Sequence, residues 1–322
     1  MRSFGSRGVL CLSAAIGLVS IAAAQGTMPK AIRIVVPFSP GGSNDVIARA
    51  IAGPLGKRLD IPVIVENKAG AAGVIGADAV AKSPRDGSVL LLTSSSFLTA
   101  AATQAQMPYD ALAAFAPVAM IGRGPMLLAV SATTPFNSPA DVIAAARAKP
   151  GALNYGTAGV GSIAHLTTEL LDDAAKIRMT HVPYKGASNA AVDLAGGQIQ
   201  VMVSNYSTIA PLMKSGKIKA LAVTSGTPHR SFPDLPSLSA VAPGFAVAIW
   251  VGVFAPVGTP AAVVDRLNQE INAIAASPDL TPVLEPDGAV PEAISAAEFA
   301  ARVKEELGLW KQIATEHKIV AE

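Results

Sequence analysis

The chain has 322 residues, 51% of them hydrophobic and 15% charged, which is enough apolar material for a folded core and, at ~150 residues per domain, for about two domains. Disorder is excluded. With 25 Lys and Arg against 23 Asp and Glu, and with nine Phe, four Tyr and two Trp, the chain lacks the basic surplus and stacking aromatics of a nucleic-acid binder, so no nucleic-acid partner is expected.

Arg2 and Arg7 precede an uncharged run from Val9 to Ala24 that ends in Ala22-Ala23-Ala24. Basic, then apolar, then small is the order of a secretory signal, and the run is short for a spanning helix, which needs ~20 apolar residues. Residues 1–24 are therefore expected to be a signal peptide, cleaved after Ala24. Cys11, the single cysteine, follows Leu10 and has most of the apolar run after it, whereas a lipid-attachment cysteine needs a small residue before it. The exported chain then has no disulfide, no thiol nucleophile and no Cys-ligated metal. Without Arg2 and Arg7 it carries 23 basic and 23 acidic side chains.

Downstream, apolar β-branched runs alternate with helical patterns: Ile32–Pro37, then Asp45–Arg58; Pro62–Glu66, then Gly73–Lys82; then Ser88–Thr93. This rhythm predicts βαβ units around a parallel sheet. A second series follows. Ser138-Pro139-Ala140-Asp141 opens a helix with a cap and a first-turn proline, and a short strand ends at Asn154–Thr157. A helix after Ser162, a strand Met179–Val182, a helix Ala187–Ala195 and strands Ile199–Val203 and Ile218–Val223 complete it. Further helix starts stand at Thr259-Pro260 and at Ser295-Ala296-Ala297-Glu298, a capping-box spacing. Two strand-like segments, Met126–Val130 and Ala248–Phe254, flank the second series. If each crosses between lobes, a cleft lies between them, and open α/β sheets bind ligands at the carboxyl ends of their strands.

Val36–Arg49 (VPFSPGGSNDVIAR) leads a strand through Gly41-Gly42 into a helix. Glycines let the backbone approach a ligand, and a fresh helix N-terminus offers unpaired N–H groups and the positive dipole end, which suits a carboxylate. Ser43 or Asn44 is expected to cap this helix and Asp45 to brace the loop. Asn154–Leu166 (NYGTAGVGSIAHL) is a second such loop, with His165 three residues beyond Ser162 and either aimed at the cleft or held structurally. Enzyme motifs are poorly represented: Gly70–Gly76 lacks the G-x-G-x-x-G spacing, Gly186–Ala190 ends in Ala where a nucleophile elbow has Gly, and His165 and Glu169 have metal-ligand spacing without an evident third partner.

These segments resemble the Bug, or tripartite tricarboxylate transporter TctC-like, periplasmic solute-binding proteins. The resemblance runs from about Lys30 to the C-terminus through VPFSPGGSNDVIAR, VENKAGAAGVIGADAVAKSPRDG, MPYDALAAFAPV, NYGTAGVGSIAHL, HVPYKGASNAAVDLAGGQIQVM, GKIKALAVTS and FAPVGTP. It implies an α/β, two-lobed type II periplasmic-binding-protein (Venus-flytrap) fold with a central interlobe cleft. It also implies a periplasmic location, no catalysis, no cofactor, no metal, and delivery of a small carboxylate to a two-component membrane permease. In the family, backbone groups of the loops hold a ligand carboxylate, partly through ordered waters. The matching positions are Phe38, Ser39, Gly41 and Gly42 in the first lobe and Thr157, Gly159, Ser162 and His165 in the second. Many relatives place an acid after the strand matching Ile199–Val203; this chain has Ser204-Asn205, which adds Asn205 to the expected contacts and disfavours an ammonium-bearing ligand.

The expectation is an exported, monomeric binding protein with lobe I at 25–125 plus 248–322 and lobe II at 126–247. Two alternatives stay open: an exported hydrolase-like α/β enzyme using Ser162 and His165, and a binding protein that serves a membrane sensor.

Overall fold

The computed structural model describes residues 27–316 and 318–320, so the expected signal peptide and its cleavage point lie outside the described residues. The strands are β1 (Ile32–Val36), β2 (Val63–Asn67), β3 (Val89–Ser94), β4 (Phe115–Pro125), β5 (Leu127–Ser131), β6 (Asn154–Thr157), β7 (Thr180–Pro183), β8 (Val201–Ser204), β9 (Ile218–Val223) and β10 (Ala248–Pro256). The helices are α1 (Ser43–Leu59), α2 (Val74–Ala81), α3 (Ser96–Thr103), α4 (Pro139–Ala148), α5 (Ile163–Ala175), α6 (Ala187–Ala195), α7 (Tyr206–Lys214), α8 (Ala261–Ala275), α9 (Thr281–Leu284) and α10 (Ala296–Glu316).

The strands form two five-stranded sheets, ordered β2-β1-β3-β10-β4 and β7-β6-β8-β5-β9. Each sheet contains one strand that runs against its neighbours, β10 between β3 and β4, and β5 between β8 and β9. In both cases it is the first strand formed after the chain crosses from the other sheet. The two lobes thus repeat one plan, and the family resemblance implied this two-lobed α/β fold.

Central strands are buried on both faces, as helix-covered parallel sheets require. In the first lobe, Ile47, Ile51 and Leu55 of α1 and Val263, Leu267 and Ile271 of α8 cover one face, while α2, α3 and α10 cover the other. There Phe97, Phe115, Phe254, Trp250 and Phe299 form a continuous aromatic cluster. In the second lobe, α6 and α7 cover one face with Ala190, Leu194 and Ile209, and α4 and α5 cover the other with Val142, Ala146 and Leu166. The cap expected at Ser138 is formed, as a capping box with Asp141, and so is the capping box expected at Ser295.

The crossing segments are stitched by one residue. Thr224, directly after β9, is fully buried. Its Oγ1 accepts from Met126 N–H at 2.8 Å and donates to Val247 carbonyl at 2.8 Å, while its own N–H and C=O pair with Met126 O and Val247 N at 2.9 Å each.

Four elements have no counterpart in the sequence reading: β4, α3, α7 and the short α9. Pro117, Gly122, Gly124 and Pro125 punctuate β4 like a loop, yet it is the edge strand of its sheet, where proline is tolerated. Pro211 lies inside α7 and reads in sequence as a helix breaker, while Asn205, a usual N-cap residue, stands at its start without a side-chain cap bond.

Phe299 is fully buried, stacks edge-on to Trp250 at 5.4 Å and fills the space over Gly252. Phe299→Ala is expected to lower folding stability by ~3–5 kcal/mol, measured by denaturant unfolding.

Candidate functional site

Between the sheets lies an empty space of about 540 Å³, its open mouth included. Its walls are helix starts at strand carboxyl ends. Gly42, Ser43, Asn44 and Asp45 begin α1; Ser94 and Ser96 flank the step from β3 to α3; Ser162, Ile163 and Ala164 begin α5; Ala187 begins α6; Ser204, Asn205 and Thr208 lead into α7. Met126 and Ile249, on the crossing segments, contribute apolar surface together with Phe38 and Val203.

The lining contains no Lys, Arg or His, and Asp45 is its one charged residue. Asp45 is already committed. Its Oδ2 accepts from Gly41 N–H at 2.9 Å and Arg49 Nε at 3.1 Å, and its Oδ1 accepts from Asn67 Nδ2 and Arg49 Nη2, both at 2.9 Å. Burial pushes its carboxyl up, but the donors from Arg49, Gly41 and Asn67 outweigh that and hold it below the ordinary range. Asn44, Ser94, Ser204 and Asn205 line the space with side chains that make no hydrogen bond to a described residue. The surface is therefore rich in donors, electropositive through helix dipoles and free of net cations.

Of the expected contacts, Phe38, Ser39, Gly42, Ser162 and Asn205 line this space, and Gly41, Thr157, Gly159 and His165 do not. Gly41 has φ +82 and turns its N–H onto Asp45. Thr157 Oγ1 sits 2.6 Å from His181 Nε2, donates to Gly159 O and accepts from Gly159 N–H, so it shapes the loop from behind. Gly159, at φ +122, lies where a Cβ would come within 3.1 Å of Ala72 N in the opposite lobe.

His165 turns inward. Its Nδ1 accepts from Gly161 N–H at 3.1 Å, and its ring stacks on His181 at 4.0 Å, with Tyr155 next in the stack. Its Nε2 stands 3.8 Å from Glu169, which also accepts from Tyr155 OH. No group of three metal-ligating side chains that could hold an ion occurs among the described residues. The expected cap on α1 is corrected as well: Gly42 is the N-cap, without a side-chain bond. Ser43 Oγ is drawn instead to Asp287 at 2.9 Å, and Asn44 faces the cavity.

Sequence reasoning missed Ser43, Ser94, Ser96, Ala187 and Thr208. The run Thr93–Ser96 at the carboxyl end of an apolar strand was the available signal for two of them. Ala187 stands beside Gly186, where an added Cβ would come within 2.9 Å of Ser39. This close interlobe packing explains the glycine that imitated a nucleophile elbow. Ser188 Oγ donates to Pro40 O at 2.9 Å, and Ile163 N–H donates to Ser96 Oγ at 3.1 Å, so the two lobes meet around the cavity.

Residues 47–319 match the family profile of the tripartite tricarboxylate transporter family receptor. Protein BugT of Bordetella pertussis is 34% identical over 306 residues, covering 94% of each chain. The solved periplasmic binding protein BugD is 31% identical with a TM-score of 0.86, covering 90% of this chain and 98% of its own. Rpa4515 of R. palustris, solved with adipate, is 34% identical with a TM-score of 0.85 at the same coverage. MatC of Rhodopseudomonas palustris, solved with bound malate, is 30% identical with a TM-score of 0.83, covering 88% and 98%.

Two predictions follow from the geometry. Gly42 has an ordinary φ of −82, and an added Cβ would meet nothing nearer than Ser39 O at 3.9 Å. Gly42→Val should therefore fold, at a cost of ~1 kcal/mol for the poorer N-cap, yet lose ligand affinity because its side chain fills the cavity. Thermal melts beside calorimetric titration separate the two effects. The second concerns pH. Burial holds both imidazoles below the ordinary range, His181 at about 3 with His165 adding to the shift, and His165 against an opposing pull from Glu169. The unfolded chain protonates them near 6.5, so their contribution is complete above about pH 6.5 and is lost as pH falls toward about 3. Asp172, raised to about 6 by burial, acts in the opposite sense, but equally in parent and variant. His181→Gln should therefore show a smaller fall in melting temperature than the parent between about pH 7 and 4.5, followed by circular dichroism.

Proposed function

We propose, for a chain that belongs to the tripartite tricarboxylate transporter receptor family, that it captures a small dicarboxylate between its lobes in the periplasm and delivers it to a two-component membrane permease. Lobe I comprises 25–125 and 248–322, lobe II comprises 126–247, and the signal peptide is removed after Ala24. No helix among the described residues is long and apolar enough to cross a membrane.

The observation that carries the reading is the cation-free ring of helix starts. A carboxylate can take its donors from backbone N–H groups and from Ser and Asn side chains, with the dipoles supplying favourable potential. An α-ammonium needs an acceptor, and leaving it desolvated and unpaired is costly. Both oxygens of Asp45 are occupied, and Ser204-Asn205 offer neutral oxygens. Phe38, Met126, Ile163, Val203 and Ile249 supply apolar surface for the carbon chain. The adipate and malate in two related structures have this chemistry. Ligand contacts are assigned to Phe38, Ser39, Gly42, Ser162 and Asn205, with Ser94 and Ser204 added. Gly41, Thr157, Gly159 and His165 hold the loops that carry them.

The hydrolase alternative draws no support from the geometry, because both ring nitrogens of His165 face away from the Ser162 hydroxyl, toward Gly161 and Glu169. Closure would follow from tighter ligand binding to the closed state.

Parallel titrations with succinate, adipate and aspartate test the ligand class. Succinate should bind more tightly than aspartate, and Asn205→Asp should weaken dicarboxylate binding about tenfold, or ~1.4 kcal/mol, by placing a like charge beside the ligand. Tighter aspartate binding would overturn the assignment. Mass spectrometry of the exported protein should find Gln25 at the N-terminus.

A further inference from the structure

Asp287 lies at the end of the 3-10 turn Glu285–Asp287 in the first lobe and is only 2% exposed. It does not line the cavity. Its Oδ2 accepts from Ser43 Oγ at 2.9 Å, in the first turn of α1 on its own lobe, and from Ser207 Oγ at 2.8 Å on the opposite lobe. Its Oδ1 accepts from Ser207 N–H at 2.5 Å.

Ser207 is the second residue of α7, a helix whose N-cap makes no side-chain bond. The acceptor that a cap residue ordinarily provides to the first-turn N–H groups thus comes from a carboxylate on the other lobe, where the helix dipole also favours a negative charge. Beside it, Ser43 N–H donates to Thr208 Oγ1 at 3.0 Å. The first turns of α1 and α7, which face each other as cavity walls, are thus joined both by this direct bond and through the Asp287 carboxylate. The other two interlobe hydrogen bonds at the cavity, Ile163 to Ser96 and Ser188 to Pro40, join neutral groups. Burial raises the Asp287 carboxyl, against the donors from Ser207 and Ser43 that lower it. Opening the cleft would return both the carboxylate and the α7 N–H to water.

We propose that Asp287 is an interlobe latch, a positioning residue that caps α7 from the opposite lobe and sets the population of the closed state without touching the ligand. This rests on the reading of the chain as a two-lobed binding protein. A latch has a distinctive consequence. When binding requires the closed form, the apparent Kd is the intrinsic Kd divided by the closed fraction, so a latch variant multiplies the Kd of every ligand by the same factor.

The test uses Asp287→Ala and Ser207→Ala, which removes only one hydroxyl and leaves the turn at Asp287 untouched. Asp287→Asn, which keeps an acceptor for Ser207 N–H, serves as the conservative variant. Spin labels on Ile64→Cys and Val192→Cys, 61% and 64% exposed on separate lobes, with Cys11→Ser, report the interlobe distance in ligand-free protein. Succinate and adipate titrations report affinity. Asp287→Ala should raise both Kd values by a common factor of about ten and lengthen the ligand-free interlobe distances. Ser207→Ala and Asp287→Asn should have smaller effects of the same kind. Unchanged distances, or unequal factors for the two acids, would overturn the latch, as would a fall in melting temperature alone. If the parent binds neither acid, the ligand assignment fails, and the distances in ligand-free protein still decide the latch.

Discussion

The constraint on which this architecture turns is electrostatic. Five helices, α1, α3, α5, α6 and α7, bring their N-terminal ends to one interlobe space, and no cationic side chain stands there to compete for an anion. Like ends of helix dipoles facing one another across a closed cleft are unfavourable, and their free N–H groups need acceptors once water is displaced. Acceptors come from three kinds of source. Asp45 serves the Gly41 turn before α1 from within the same helix, Asp287 serves α7 from across the cleft, and hydroxyls such as Ser96 Oγ and Thr208 Oγ1 serve Ile163 and Ser43. The donors left over at the centre are what the proposed anionic ligand would complete.

This choice of chemistry has consequences for specificity. An Arg or Lys in the wall would attract any anion and would itself need a counter-charge when the site emptied, whereas backbone N–H groups are fixed by the helices that carry them and lose no side-chain freedom on binding. The one lining carboxylate is paired with the Arg49 cation and takes a further hydrogen bond from Asn67, so it would add little repulsion for the proposed dicarboxylate and no free partner for an ammonium. For the proposed ligand class, selectivity would then rest on where the neutral groups, Asn44, Ser94, Ser204 and Asn205, stand relative to the apolar surface of Met126, Val203 and Ile249.

Local patterns made part of this legible. The glycine pair before α1, the cap at Ser162, the serine-led starts of α4 and α10 and the apolar strands each carry their reason within a few residues, and the structure places them accordingly. What stayed hidden depends on distance along the chain. Asp287 meets Ser43 across 244 positions and Ser207 across 80, and no spacing rule connects them. The strand β4 and the helix α7 contain prolines that punctuate the sequence, but edge position and tertiary packing accommodate them. His165 was half legible. Its spacing from Ser162 put it in the first turn of α5, but stacking on His181 and acceptance of the Gly161 N–H turned it behind the wall.

The crossing segments tie the site to the motion that must admit a ligand. Met126 and Ile249 line the cavity and belong to the two stretches that pass between lobes, and Met126 and Val247 are bound to each other through Thr224. In the proposed closing motion these crossing segments would act as the hinge, so a ligand resting on them would touch the part of the molecule that moves least. Its contacts there would contribute almost equally to both states and would not drive closure, since only differential affinity shifts such an equilibrium. The contacts that would distinguish the states are those made at once with the starts of α1 and α7 or α5, on opposite lobes. On the proposed reading, a ligand with one carboxylate would close the cleft only if that group reached both walls, whereas a second carboxylate would let each lobe hold its own, and the apolar floor between them would then measure the length of the chain that joins them.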